Sequence, residues 1–323
     1  MIADDLDRLP FPLAGTWRLL RNETQPANTI YRMFDVLEVG LRYLCACVAC
    51  ERRAAGDGEA VAAWTGKPKT LGAMVAWLRD SLKGGNHGPF AGRLAKVWSQ
   101  AEPHVDRLVS ERNRTRGHGL TVSDRRYRKL QGELEPHLSG FLDLFRHLEG
   151  FRPVIVKGMN DFDGTWYEHQ VLIALGDNPY FPVETLRSES SLAFRRVFLR
   201  SEDGSLVSLH PFLVYELCPE HDEEHLFLFQ RAERNRMHCV EPLRGCEIDA
   251  PLAGERPSGS GRGGPVQTIA QSSEEERIVA PGLELAGRYR LGKEIGRGAG
   301  GRVFRAHDQI SDAEVAVKVF DPP

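Results

Sequence analysis

Residues 29–54 read TIYRMFDVLEVGLRYLCACVACERRA, and this stretch decides the fold. Ile30, Phe34, Leu37, Leu41, Leu44 and Val48 recur at three- and four-residue spacing, so an α-helix gathers them into one wide buried stripe. Cys45, Cys47 and Cys50 sit inside the run and read as small core residues. Its most apolar piece, Leu44 to Cys50, is flanked by Arg42 and Glu51 and falls well short of the roughly 18 uninterrupted apolar residues of a spanning helix. The stripe therefore calls for protein neighbours, and no membrane partner is expected.

Those neighbours lie on its C-terminal side. Thr70 can cap a second helix carrying Leu71, Met74, Val75 and Leu78, ended by Gly84-Gly85-Asn86. A third apolar pattern runs through Phe90, Leu94, Val97 and Trp98. Pro103 suits the first turn of a fourth helix with Val105, Leu108 and Val109. Ser123 opens a fifth, with Tyr127, Leu130, Leu134, Leu138, Phe141, Leu142 and Phe145 on one side. Short connections between such helices predict an antiparallel bundle over residues 1–150.

The pattern changes after Gly150. Residues 154–156, 167–174, 196–200, 205–215 and 226–229 are short β-branched or aromatic runs, and Glu202-Asp203-Gly204 is a hairpin signal. Residues 151–248 are expected to form a small, mostly antiparallel β domain. Residues 249–282, rich in Pro, Gly and Ser and carrying the run Ser272 to Arg277, read as a flexible linker. A last segment follows at 283–323. The class is α+β, and 323 residues suit two domains and part of a third.

A hydrophobic content of 41% and a charged content of 27% are those of a soluble globular chain. A formal net charge of −3 excludes a globally basic nucleic-acid binder and leaves room for a local basic patch. Six cysteines are too few for a disulfide scaffold, and the opening MIADDLDRLP lacks the basic-then-apolar order of a signal peptide. A reducing, cytoplasmic setting is expected.

The most specific motif lies in the last segment, where residues 287–306 read GRYRLGKEIGRGAGGRVFRA. Gly296, Gly298, Gly301 and Val303 fill G-x-G-x-x-G-x-V, and Val315-Ala316-Val317-Lys318 puts a lysine fourteen positions past Phe304. Glycines let a hairpin backbone approach phosphate oxygens without a Cβ in the way. Strand-like residues follow the glycines, whereas the dinucleotide fingerprint needs a helix there. The segment resembles the opening of a bacterial, eukaryotic-like serine/threonine protein kinase domain, and the hairpins would be an incomplete kinase N-lobe. The resemblance implies ATP with Mg²⁺ as cofactors and protein hydroxyls as substrates. It further implies that Val303 and Ala316 pack on adenine and that Lys318 meets the α/β-phosphates.

The resemblance covers about Leu283 to Phe320. The H-R-D-x-x-x-x-N catalytic loop and the D-F-G metal ligand do not follow, and Asp161-Phe-Asp-Gly164 reads as a turn. No catalytic residue is therefore assigned in the kinase part. The chain is read as the N-terminal part of a longer kinase polypeptide, inactive by itself.

A second motif, Glu111-Arg112-Asn113-Arg114-Thr115-Arg116-Gly117-His118-Gly119, falls in the helical part. Residues 105–129 carry eight Lys/Arg against three Asp/Glu, a local +5. Arg112 and His118 match the R-x(4–6)-H pattern, and the region resembles HEPN domains, helical bundles found in many RNases. The resemblance implies metal-free RNA cleavage, with His118 as acid or base and Arg112 holding the phosphate, in a homodimer through the bundle. The same residues also suit a plain helix end, with a glycine cap and cations at the negative pole of the dipole.

Cys218-Pro-Glu-His221 has C-x-x-H spacing, with His225, His238, Cys239 and Cys246 downstream. Cys239 and Cys246 have six residues between them, too many for a tight ligand pair, so these read as ordinary turn and strand residues and no metal ligand is assigned. The leading functional expectation is a regulatory or sensing region joined to the ATP-binding loop of a serine/threonine kinase. The alternatives are a HEPN-like ribonuclease or RNA-binding module, and a non-enzymatic interaction module.

Overall fold

The computed structural model describes residues 6–251, apart from 66–69, 84–86, 118–122, 164 and 234–235, together with 284–285, 289–298, 301–308 and 313–319. The expected linker starts too early, because Asp249 to Pro251 pair in a strand ladder with His238 to Arg236; its remainder, 252–282, and the glycine-asparagine helix stop at 84–86 lie outside the described residues. The class is α+β, as expected. The helices are α1 (Phe11–Arg21), α2 (Pro26–Ala54), α3 (Glu59–Thr65), α4 (Leu71–Ser81), α5 (Pro89–Gly117) and α6 (Asp124–Arg146).

The central helix is α2, which packs against each of the other five. Its nine residues from Tyr43 to Glu51 are all buried, so this end is enclosed rather than faced on one side. Gly40 lets the Phe141 ring of α6 approach, since a Cβ there would lie 2.7 Å from it. Thr70 caps α4 as expected, its hydroxyl accepting from the Ala73 N–H at 3.2 Å.

The expected third and fourth helices are one. Helix α5 runs unbroken through Pro103. Proline removes one backbone hydrogen bond and crowds the preceding turn, at a cost of roughly 3 kcal/mol. Yet Phe90, Leu94, Trp98, Ala101, Val105 and Leu108 are all buried and keep one unbroken phase across it. Burying each large apolar side chain contributes roughly 1.5–3 kcal/mol, so the stripe outweighs the proline.

The strands of the first compact unit, Met1–Ser258, form two antiparallel sheets. One contains β1 (Arg152–Phe162), β2 (Tyr167–Ile173), β3 (Val183–Ser188), β4 (Val197–Arg200) and β5 (Leu206–Ser208) in the order β3-β2-β1-β4-β5. The other is a meander of β6 (Leu213–Leu217), β7 (Glu224–Glu233), β8 (Arg236–Val240) and β9 (Glu247–Pro251). The apolar run 205–215 is not one strand. It breaks at Pro211, which has no N–H for a ladder, and its halves join different sheets. Glu202-Asp203-Gly204 turns β4 into β5, with Gly204 at φ +84°.

One hydrophobic cluster runs from Leu9 through the helices to Ala250. The change of pattern at Gly150 is thus a change of secondary structure over a shared core. Gly15 of α1 contributes to the join, because a Cβ there would lie 2.7 Å from Leu243 in the β8–β9 turn. The second compact unit, Gly259–Pro323, holds a separate antiparallel sheet of β10 (Glu284–Leu285), β11 (Tyr289–Gly298), β12 (Gly301–Asp308) and β13 (Ala313–Val319).

Buried Glu51 ties the end of α2 to the start of α5. Its two carboxylate oxygens accept from the Phe90 and Ala91 N–H groups, each at 2.8 Å. Gly88 leaves room for it, since a Cβ there would collide with the carboxyl. Burial raises the Glu51 pKa by more than the two N–H groups and His87 lower it. Glu51→Ala would leave two donors buried without an acceptor, at about 1–3 kcal/mol each, read as a lower denaturation midpoint. A raised folded pKa means that the protonation-dependent stability is full below the unfolded value and is lost as pH rises through the folded one. Wild type should accordingly lose stability relative to Glu51→Gln as pH climbs from acid to neutral.

Candidate functional site

The glycine motif forms the end of the β11–β12 hairpin. Gly298 pairs with Gly301 as its last rung, and the two residues between them lie outside the described residues. Gly296 stands opposite Val303, Val303 opposite Lys318, and Arg305 opposite Ala316. Directly opposed positions in an antiparallel ladder share a face. Positions 296, 303, 305, 316 and 318 therefore belong to one face of this sheet. The other face carries Leu291, Phe304 and Ala306, buried against Val315 and Val317 as a small core of its own. Ala316 and Arg305 are exposed and Val303 is partly so. The apolar residues thus hold the hairpins together from one side, and the side bearing the motif stays open. Asp161 and Phe162 instead end β1, and the Asp163 carboxylate accepts from the Thr165 and Trp166 N–H groups ahead of β2 at 2.9 and 2.7 Å; Gly164 lies outside the described residues.

Arg112 belongs to α5 and faces α2. Its guanidinium lies 3.6 Å from Glu38, whose other oxygen takes Arg42 at 2.8 Å. Arg42 also donates to the Gln230 carbonyl of β7 at 2.6 Å. These residues, with Arg32 and Asp35, line a cleft of about 350 Å³ between helices and sheet. Nearby, Arg114 and Arg107 pair with buried Glu111 at 2.7 and 3.6 Å. From outside the basic stretch, Glu38 reaches Arg112, and Glu133 reaches Arg107 and Lys129 at 4.0 and 3.9 Å, so part of the local excess is paired. His118, the expected partner of Arg112, lies outside the described residues. Between α5 and α6, His104 and His137 meet with their Nδ1 atoms 3.2 Å apart. Burial, then the neighbouring His104 and Arg107, lowers the His137 pKa. Both histidines sit on helix faces that the sequence reading left unremarked.

Three residues that the sequence offers only as ordinary turn and strand positions come together at one end of the β6–β9 sheet. Cys218 follows β6, His221 is in the turn to β7, and Cys246 ends the turn into β9. His221 Nδ1 is 3.4 Å from the Cys218 sulfur and 3.3 Å from the Cys246 sulfur. Both cysteines are buried and His221 is exposed. Burial pushes the Cys218 thiol up, but contacts with His221, with backbone N–H groups and with Cys246 outweigh it and leave its pKa lowered. Burial and the neighbouring Cys218 push Cys246 up to about 11. Cys239 and His238 lie elsewhere on β8, where Cys239 pairs with Ile248 and His238 contacts Asp249 at 3.3 Å. The C-x-x-H spacing was the available signal. The third member, Cys246, is 25 residues from His221 and has no pair spacing with Cys239 or Cys218, so only the fold brings it in.

Arg112→Ala removes one of the two cations on half-buried Glu38, which keeps Arg42, and is expected to lower unfolding free energy by about 1 kcal/mol. Arg146→Ala, which breaks an exposed pair with Asp143, should cost well under about 1 kcal/mol in the same urea titration.

With this geometry in hand, comparison of the chain with protein-family models, with curated proteins and with solved structures finds no match.

Proposed function

We propose that residues 284–319 are the ATP-binding opening of a serine/threonine protein kinase domain, and that the helical and β-sheet unit before them is its regulatory region. The observation that carries this reading is the ladder register. Gly296, Val303, Ala316 and Lys318 occupy positions on one open face, beside a hairpin that turns between Gly298 and Gly301. Glycines at 296, 298 and 301 keep Cβ atoms away from a phosphate laid over the hairpin. Val303 and Ala316 offer small apolar contact to a purine, and Lys318 offers a cation to the α/β-phosphates. Bound ATP with Mg²⁺ would supply the γ-phosphoryl group that is passed to a serine or threonine hydroxyl of a protein substrate.

Phosphoryl transfer depends on positioning the metal and the attacking hydroxyl, and neither an H-R-D loop nor a D-F-G follows Lys318 in these 323 residues. Residues 1–323 alone are therefore expected to show no transfer from radiolabelled ATP. The reading is tested by grafting residues 283–320 into a bacterial serine/threonine kinase in place of its own glycine loop and first three strands. The chimera should phosphorylate a protein substrate, with activity lost in Lys318→Met and strongly reduced in Gly298→Val. A folded chimera with no turnover overturns the proposal.

A further inference from the structure

We propose that Cys218, His221 and Cys246 bind a zinc ion through two thiolates and one imidazole nitrogen, with a solvent molecule in the fourth position. The site is independent of the kinase reading and lies in the other compact unit. It rests first on distance. The three donor atoms all lie within 4.8 Å of one another, and Nδ1 is 3.4 and 3.3 Å from the two sulfurs. Tetrahedral zinc, with Zn–S about 2.3 Å and Zn–N about 2.0–2.1 Å, requires sulfur–nitrogen separations of about 3.6 Å. Both nitrogen–sulfur edges are already within about 0.3 Å of that value.

Hydrogen-bond valence gives a second, separate reason. Nδ1 carries either one lone pair or one hydrogen, so it makes one good bond to a thiol, while the two sulfurs also contact each other, a weak donor–acceptor pair. Two sulfurs nonetheless converge on it. A cation at the centre satisfies all three atoms at once, and the soft sulfur-and-imidazole set selects zinc over magnesium or calcium.

The supporting turns are built without the metal. Between β6 and β7 the Cys218 N–H donates to Glu223 O at 2.7 Å and the Asp222 N–H to Cys218 O at 3.0 Å, with Asp222 at φ +55°. Between β8 and β9 the Glu241 N–H donates to Cys246 O at 2.9 Å, and buried Glu241 accepts from the Leu243 N–H at 3.1 Å. The nearest further histidine, His225, is engaged with Arg244 at 3.0 Å. Among the described residues the cluster has three members, and exposed His221 leaves its outer side to solvent. Zinc binding would displace the thiol protons of Cys218 and Cys246 into solution, so affinity should fall in acid.

The test uses the whole 1–323 chain, reduced and stripped of metal, then titrated with Zn²⁺ or Co²⁺ alone. One equivalent of Zn²⁺ should remain after gel filtration, and Co²⁺ should give thiolate charge-transfer bands with the strong visible absorption of a tetrahedral site. Cys246→Ser and Cys218→Ser should abolish the charge-transfer bands or weaken them severalfold. Cys239→Ser should leave them unchanged. His221→Ala, at an exposed turn position, should keep the native circular dichroism yet lose at least tenfold in Zn²⁺ affinity. A reduced, folded chain that retains no zinc and gives only the weak spectrum of octahedral cobalt overturns the proposal. So does a spectrum unaffected by both His221→Ala and Cys246→Ser.

Discussion

Burial of the C-terminal part of α2, Tyr43 to Glu51, on every side is the constraint around which the first unit is arranged. A helix with one apolar stripe needs one partner surface. From Tyr43 to Glu51 this helix has no solvent-facing residue, so several elements must surround it. Ala46, Cys47 and Ala49 are small enough for neighbouring backbones to come close. The cations at its end serve the sheets. Arg53 donates to the His210 carbonyl at 2.6 Å, in the segment that joins the two sheets, as Arg42 does to β7. A shared core and these long-range bonds together explain why the helices and both sheets make one unit.

The same enclosure explains two departures from local rules. Proline at 103 should end a helix, and a carboxylate at 51 should avoid the interior. Both are tolerated because α5 must lie along α2. The continuous stripe on α5 outweighs the missing bond at Pro103, and Glu51 is placed where two unpaired N–H groups at the start of α5 need an acceptor. A negative group at that end is also favoured by the helix dipole. The local penalty at each residue is offset by a tertiary partner.

The two chemistry-bearing arrangements differ in how they are assembled. In the second unit, the glycines, Val303, Ala316 and Lys318 come from adjacent strands joined by short turns, so one hairpin register brings their positions together. In the first unit, Cys218 and His221 share a turn, but Cys246 arrives from another turn at the same end of the sheet. The basic patch is different again. Three of its arginines are drawn to carboxylates once the bundle forms, Arg112 to Glu38 and Arg107 and Arg114 to Glu111.

The α+β class, the α2 stripe, the Thr70 cap, the turn at Gly204 and the glycine-valine-lysine pattern were all legible in the sequence. Each is set by residues within a few positions of one another, where periodicity, side-chain capping and backbone freedom act locally. Tertiary structure alone decided that α5 continues through Pro103, that residues 205–215 split between two sheets, that Glu51 meets a helix start 39 residues away, and that Cys246 rather than Cys239 joins Cys218 and His221. These outcomes depend on which distant surfaces are pressed together to bury α2, and on a strand order that sets the β6–β7 and β8–β9 turns at one end of a sheet. Neither is written in the spacing of neighbouring residues.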